Sequence, residues 1–112
     1  MKIKTLLTTT LLCLGLAMTA QAQVISQAYE VVLSDFRAPA TANGGAAFKQ
    51  CAECDRQVIR VTAGTRYAIN GKTVRLEDFR KAVLLANDRD EKWVTVLHHL
   101  ESDTIESIDV LL

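Results

Sequence analysis

Apolar residues along the chain first run together, then alternate, then fall at helical spacing, and finally alternate again. The opening run, Thr5 to Thr19, is uncharged and rich in Leu. Alternation begins at Gln27–Leu33, where Tyr29, Val31 and Leu33 share one side and Ala28, Glu30 and Val32 the other, the period of a half-buried strand. From Ser34 to Ala47 the pattern lapses into Ala, Gly, Thr, Asn and the only proline, Pro39. That composition predicts a flexible loop over 34–47, long for a compact domain.

Asn70-Gly71, between Tyr67-Ala68-Ile69 and Lys72-Thr73-Val74, is the strongest hairpin signal in the chain. A two-residue type I′ turn there pairs Ile69 with Lys72 and Tyr67 with Val74. Tyr67, Ile69, Val74 and Leu76 then share one face, and Arg66, Ala68, Thr73 and Arg75 the other. The preceding strand, Val58 to Thr62, is expected to turn back through Ala63-Gly64-Thr65 with Gly64 at positive φ. That register aligns Ile59 and Val61 with Tyr67 and Ile69 and leaves Arg60 exposed.

Glu77 to Asn87 has helical spacing, with Phe79, Ala82, Val83 and Ala86 on one stripe and Leu84 and Leu85 widening it toward a second covered face. Glu77 and Asp78 lie in the first turn, where backbone dipoles favour negative charge. Trp93–Leu100 reads as a strand, Glu101-Ser102-Asp103 as a turn, and Ile105–Leu112 as a last strand with Ile108, Val110 and Leu112 on one side. These elements predict an α+β fold: a small antiparallel sheet of about five strands with one helix packed on one face. Antiparallel neighbours are expected because the connections are too short for crossovers.

The N-terminal run changes the picture of where the fold works. Met1-Lys2-Ile3-Lys4 is a short positive head, the apolar run follows, and Ala20-Gln21-Ala22 supplies small residues at the two subsites of a signal peptidase. Residues 1–22 therefore read as a cleaved signal peptide, with 23–112 a single exported domain beginning at Gln23. An uncleaved anchor is disfavoured because the run is short and threonine-rich for a span of about 20 residues. Lipidation at Cys13 is disfavoured because the bulky Leu12 precedes it.

Removing Lys2 and Lys4 leaves 11 basic against 13 acidic residues. A net charge of −2 lacks the positive field that nucleic acid or an anionic membrane rewards. No Asn-x-Ser/Thr sequon occurs at Asn43, Asn70 or Asn87. The expected localisation is periplasmic or secreted, with no stable membrane insertion once the signal is cut.

Cys51-Ala52-Glu53-Cys54 is the only constellation with chemical content. In an exported chain its first reading is a structural disulfide that closes a turn before the Val58 strand. A thiol-redox site is the second reading, but Glu53 and Asp55 disfavour a thiolate and strand residues follow where a thioredoxin-like site has a helix. The third is a zinc or copper site using Cys51, Cys54, His98 and His99. Adjacent strand residues point to opposite faces, so at most one histidine joins the pair easily. Arg60, Arg66 and Arg75 are candidate binding residues that could align on the outer sheet face and grip a carboxylate, against the plainer reading of a solvated face.

No Ser/His/Asp order, paired carboxylates or phosphate loop stands out. The expectation is a non-catalytic binding or accessory domain with no cofactor and a protein or small-molecule partner. Tyr67 to Phe79, read as Tyr-Ala-Ile-Asn-Gly-Lys-Thr-Val-Arg-Leu-Glu-Asp-Phe, resembles the hairpin-then-helix start of the periplasmic domain in biopolymer-transport proteins of the ExbD/TolR type. The likeness covers about a tenth of the chain and implies a hairpin followed by a helix, with no function carried over.

Overall fold

The computed structural model describes residues 25–112, so the expected signal segment and its cleavage point lie outside the described residues. The elements in chain order are β1 (Ser26–Val32), β2 (Phe36–Arg37), β3 (Gly45–Phe48), β4 (Gln57–Arg60), β5 (Arg66–Ile69), β6 (Lys72–Val74), α1 (Leu76–Leu85), β7 (Trp93–His99) and β8 (Thr104–Leu111). Short 3-10 turns at Leu33–Asp35 and Arg89–Glu91 complete them. All eight strands belong to one open sheet, in the order β1-β7-β8-β4-β3-β2, with β5 on β8 and β6 on β5. The expected antiparallel sheet of about five strands is therefore overturned. The fold is mostly sheet, with 44% of the described residues in strands, and the sheet is mixed.

One source of extra strands is the segment 34–47, expected as a loop. Phe36 pairs with Phe48 and Arg37 with Ala47, and Gly45–Phe48 runs antiparallel to β4. Phe36, Pro39, Ala46 and Phe48 are buried. Strands of two and four residues are too short to display a two-residue period in sequence. Their small residues serve close packing: a Cβ added at Gly45 would lie 2.8 Å from Val58 Cγ1.

The second correction concerns direction. β4 and β5 do not form a hairpin; both lie parallel to β8, through Arg60↔Thr104 and then Arg66↔Ser107 to Ile69↔Val110. Between them the chain loops out and resumes its course. Thr65 organises that loop: its Oγ1 accepts from the Thr62 amide at 2.9 Å and donates to the Ile105 carbonyl at 2.6 Å, while the Thr65 amide donates to the Thr62 carbonyl at 3.1 Å. Among the described residues Gly71 is the only glycine at positive φ, so Gly64 does not take the conformation expected of it. The connection that makes β5 and β8 parallel is the long path through β6, α1 and β7, which satisfies the need for a crossover.

The Asn70-Gly71 hairpin forms in the predicted register, Ile69↔Lys72 and Tyr67↔Val74. Asn70 at φ 51° and Gly71 at φ 84° have the two positive angles of a type I′ turn. Gly71→Val is expected to cost about 1–3 kcal/mol, because a β-branched residue is strained at that angle. Gly45→Val carries a cost of another kind, because its Cβ would lie 2.8 Å from Cγ1 of Val58, a β-branched side chain with little freedom to withdraw. A thermal melt of Gly71→Val that matches the parent would show that the turn angle is not what limits stability.

The hairpin and α1 set one wall of the core. Phe79 is fully buried, with its ring 5.3 Å from Tyr67 and edge-on to Phe36 at 6.3 Å. Val83 is the other buried residue of α1. Leu84 and Leu85 are 72% and 71% exposed, so the wider apolar stripe expected for the helix is not covered. The facing sheet contributes Val31, Val94, Val96, Ile105, Ile108 and Val110. An irregularity between Leu97 and His98 shifts the β7–β8 register, and this turns both Ile105 and Ile108 inward despite their odd spacing. Burial pushes the Tyr67 phenol pKa up, and its hydroxyl has no hydrogen-bond partner.

Candidate functional site

Cys51 and Cys54 lie in the turn between β3 and β4, closed by a Cys54 amide to Cys51 carbonyl hydrogen bond of 3.1 Å. They are joined as a disulfide with their Cα atoms 5.0 Å apart. The bond ties a four-residue turn, and in this bonded form neither sulfur is a thiolate ligand. On the chain-entropy model, the double substitution Cys51→Ser/Cys54→Ser should cost about 2 kcal/mol, lowering the melting temperature while leaving the fold intact. A circular-dichroism melt checks this, and loss of all cooperative unfolding would contradict it.

His98 and His99 point to opposite faces. His98 lies on the core side, 9% exposed, its ring stacked 6.2 Å from Tyr29 and its Nε2 2.7 Å from Asp103 Oδ1. The other ring nitrogen, Nδ1, is buried and has no hydrogen-bond partner. His99 lies on the other side, with Nδ1 3.0 Å from Ser102 Oγ and Nε2 3.9 Å from Glu106 Oε1. The set Cys51, Cys54, His98 and His99 is not gathered: among the described residues no three His, Cys, Asp or Glu side chains are placed to hold a metal ion.

The three arginines singled out from the sequence are exposed but do not act together. Arg60 and Arg66 lie on successive strands along β8, opposite Thr104 and Ser107. Arg75 precedes α1 and is engaged by Glu77 Oε1 at 3.8 Å and Asp78 Oδ2 at 3.5 Å.

A different arginine set lines a groove of about 320 Å³ between β2 and α1. Its walls are Arg37, Arg80 and Arg89, with Phe36, Ala38, Val83 and Leu84 supplying apolar surface. Arg80, Val83 and Leu84 fall at positions i, i+3 and i+4 of the helix and so share a face. Asp88, in the left-handed region at φ 52°, turns the chain after the helix so that Arg89 reaches back. Arg89 Nη1 donates to the Val83 carbonyl and Nη2 to the Leu33 carbonyl at 3.5 Å, which places a cation at the negative end of the helix dipole. The groove lining contains no carboxylate. The ion pairs among the described residues involve Arg75, His98 and His99, not the groove arginines.

The sequence does not display this site, because Arg37 stands in the segment whose composition predicts a loop and no period links it to Arg80 or Arg89. The one local signal nearby is Asn87-Asp88, a residue pair that favours the end of a helix.

No protein-family model, curated protein or solved structure matches this chain. Among the described residues no helix is long and apolar enough to cross a membrane.

Proposed function

We propose that this chain is a small exported domain, periplasmic or secreted, that binds a partner and performs no catalysis, an accessory module with a structural disulfide. The arginine-lined groove carries the reading. A guanidinium stays protonated at any physiological pH, so it offers directional hydrogen bonds and charge but does not shuttle protons. Three of them beside apolar carbon, with no carboxylate, imidazole, thiol or hydroxyl side chain in the lining, suit recognition and lack a general base or nucleophile. The Cys51–Cys54 bond and the signal-like N-terminus support an oxidising compartment. The partner is a protein or small molecule, not nucleic acid, given the net charge of the exported part.

The test is the intact mass of the protein isolated without reductant from the envelope or medium of its native host. The expected mass starts at Gln23, lacks the two thiol hydrogens and carries no lipid. A mass that retains Met1, or one with both thiols free, would overturn the export reading. An assay for disulfide exchange on insulin is expected to show none. Exchange that disappears in Cys51→Ser would overturn the non-catalytic reading.

A further inference from the structure

We propose that the groove between β2 and α1 takes a small organic oxyanion, a carboxylate or phosphate carried on a short apolar group, with Arg37 and Arg80 binding the charged end. The inference rests on reading this chain as a binding domain and adds the ligand's chemical class. Charge complementarity comes first: three guanidiniums converge on one groove, and no acid lines it. Their roles differ. Arg89 is committed to the Val83 and Leu33 carbonyls, so it contributes mainly its positive field. Arg37, exposed on the β2 edge, and Arg80, half-buried on α1, have no ion-pair partner among the described residues. Their planar forks match the two oxygens of a carboxylate or phosphate.

The apolar part of the ligand follows from the rest of the lining. Phe36 and Val83 are buried at the base, whereas Leu84 stands 72% exposed beside the arginines. A leucine so exposed at the rim of a cationic groove is covered when the ligand brings an apolar group as well as a charge. A volume of about 320 Å³ is at the small end for ligand pockets, which suits a headgroup with a short chain or one ring.

Amide chemical shifts of the isotope-labelled exported domain, titrated with sodium octanoate, octyl phosphate, octanol and inorganic phosphate, test this. Either octanoate or octyl phosphate is expected to shift Phe36, Arg37, Ala38, Arg80, Val83 and Leu84. The stronger of the two identifies the headgroup. Octanol and inorganic phosphate are expected to bind at least about tenfold more weakly, since each lacks half of the recognition. Arg37→Ala and Arg80→Ala should each weaken the better probe about tenfold, with their spectra otherwise retained. Arg80→Lys should recover part of the loss. Shifts confined to other surfaces, such as exposed Trp93 and Leu111, or affinities unchanged in both alanine variants, would overturn the groove assignment. Octanol or inorganic phosphate binding as tightly as the amphiphiles would also overturn it. Absence of shifts with both amphiphiles would overturn the ligand class alone, because the export and non-catalytic readings are decided by the mass and insulin measurements.

Discussion

Phe79→Ala is expected to remove about 3–5 kcal/mol of stability. The ring is fully buried and joins three parts of the core, meeting Tyr67 of β5 at 5.3 Å and Phe36 of β2 at 6.3 Å from its own place on α1. Truncation forfeits the transfer free energy of the ring and leaves a cavity that two rigid aromatic neighbours cannot fill. Domains of this kind have only about 5–15 kcal/mol in all. The melting temperature should therefore fall by roughly 15–30 °C. Leu84→Ala, on the exposed side of the same helix, is the control and should stay within about 0.5 kcal/mol of the parent. Similar melting temperatures for the two variants would show that α1 is not held to the sheet through Phe79.

Thr65→Val is expected to cost about 2–4 kcal/mol although it preserves the shape of the side chain. Thr65 is 8% exposed, and its hydroxyl links the Thr62 amide to the Ile105 carbonyl. Valine would leave both backbone groups without that partner in a largely buried place, a penalty of about 1–3 kcal/mol for each. The bond to Ile105 also ties the loop between β4 and β5 to the start of β8, so amide exchange along β5 should accelerate in the variant. Thr65→Ser keeps the hydroxyl and should lose less than half as much. Urea midpoints that fall equally for the valine and serine variants would show that the methyl group, not the hydrogen bonds, matters here.

Thr65 also marks where sequence reading lost the fold. Ala63-Gly64-Thr65 has the composition of a reverse turn, and the apolar pattern on either side is compatible with a hairpin. The deciding interaction is with Ile105, forty residues away in the chain, so no local pattern could report it. The candidate site was hidden for the same reason. Arg60, Arg66 and Arg75 are close in sequence and drew attention, yet Arg75 is occupied by its own helix's acids and the other two project from successive strands. Arg37, Arg80 and Arg89 are far apart in sequence and meet only because β2 and α1 pack on one another through Phe36 and Phe79.

What the sequence determined by itself is local. Asn70-Gly71 dictates a type I′ turn because few residue pairs tolerate positive φ twice in succession, and that turn sets the β5–β6 register. The change of period at Glu77 signals the helix, which begins one residue earlier at Leu76, and the spacing of Cys51 and Cys54 permits closure of their turn. Only the tertiary structure decided which strands are neighbours, their direction on β8, the recruitment of 34–47 into the sheet, and the gathering of three arginines around one groove. Backbone angles and side-chain period are set by neighbouring residues, whereas strand pairing and clustering of charge depend on contacts whose partners are distant in the chain and are specified only when the whole core packs.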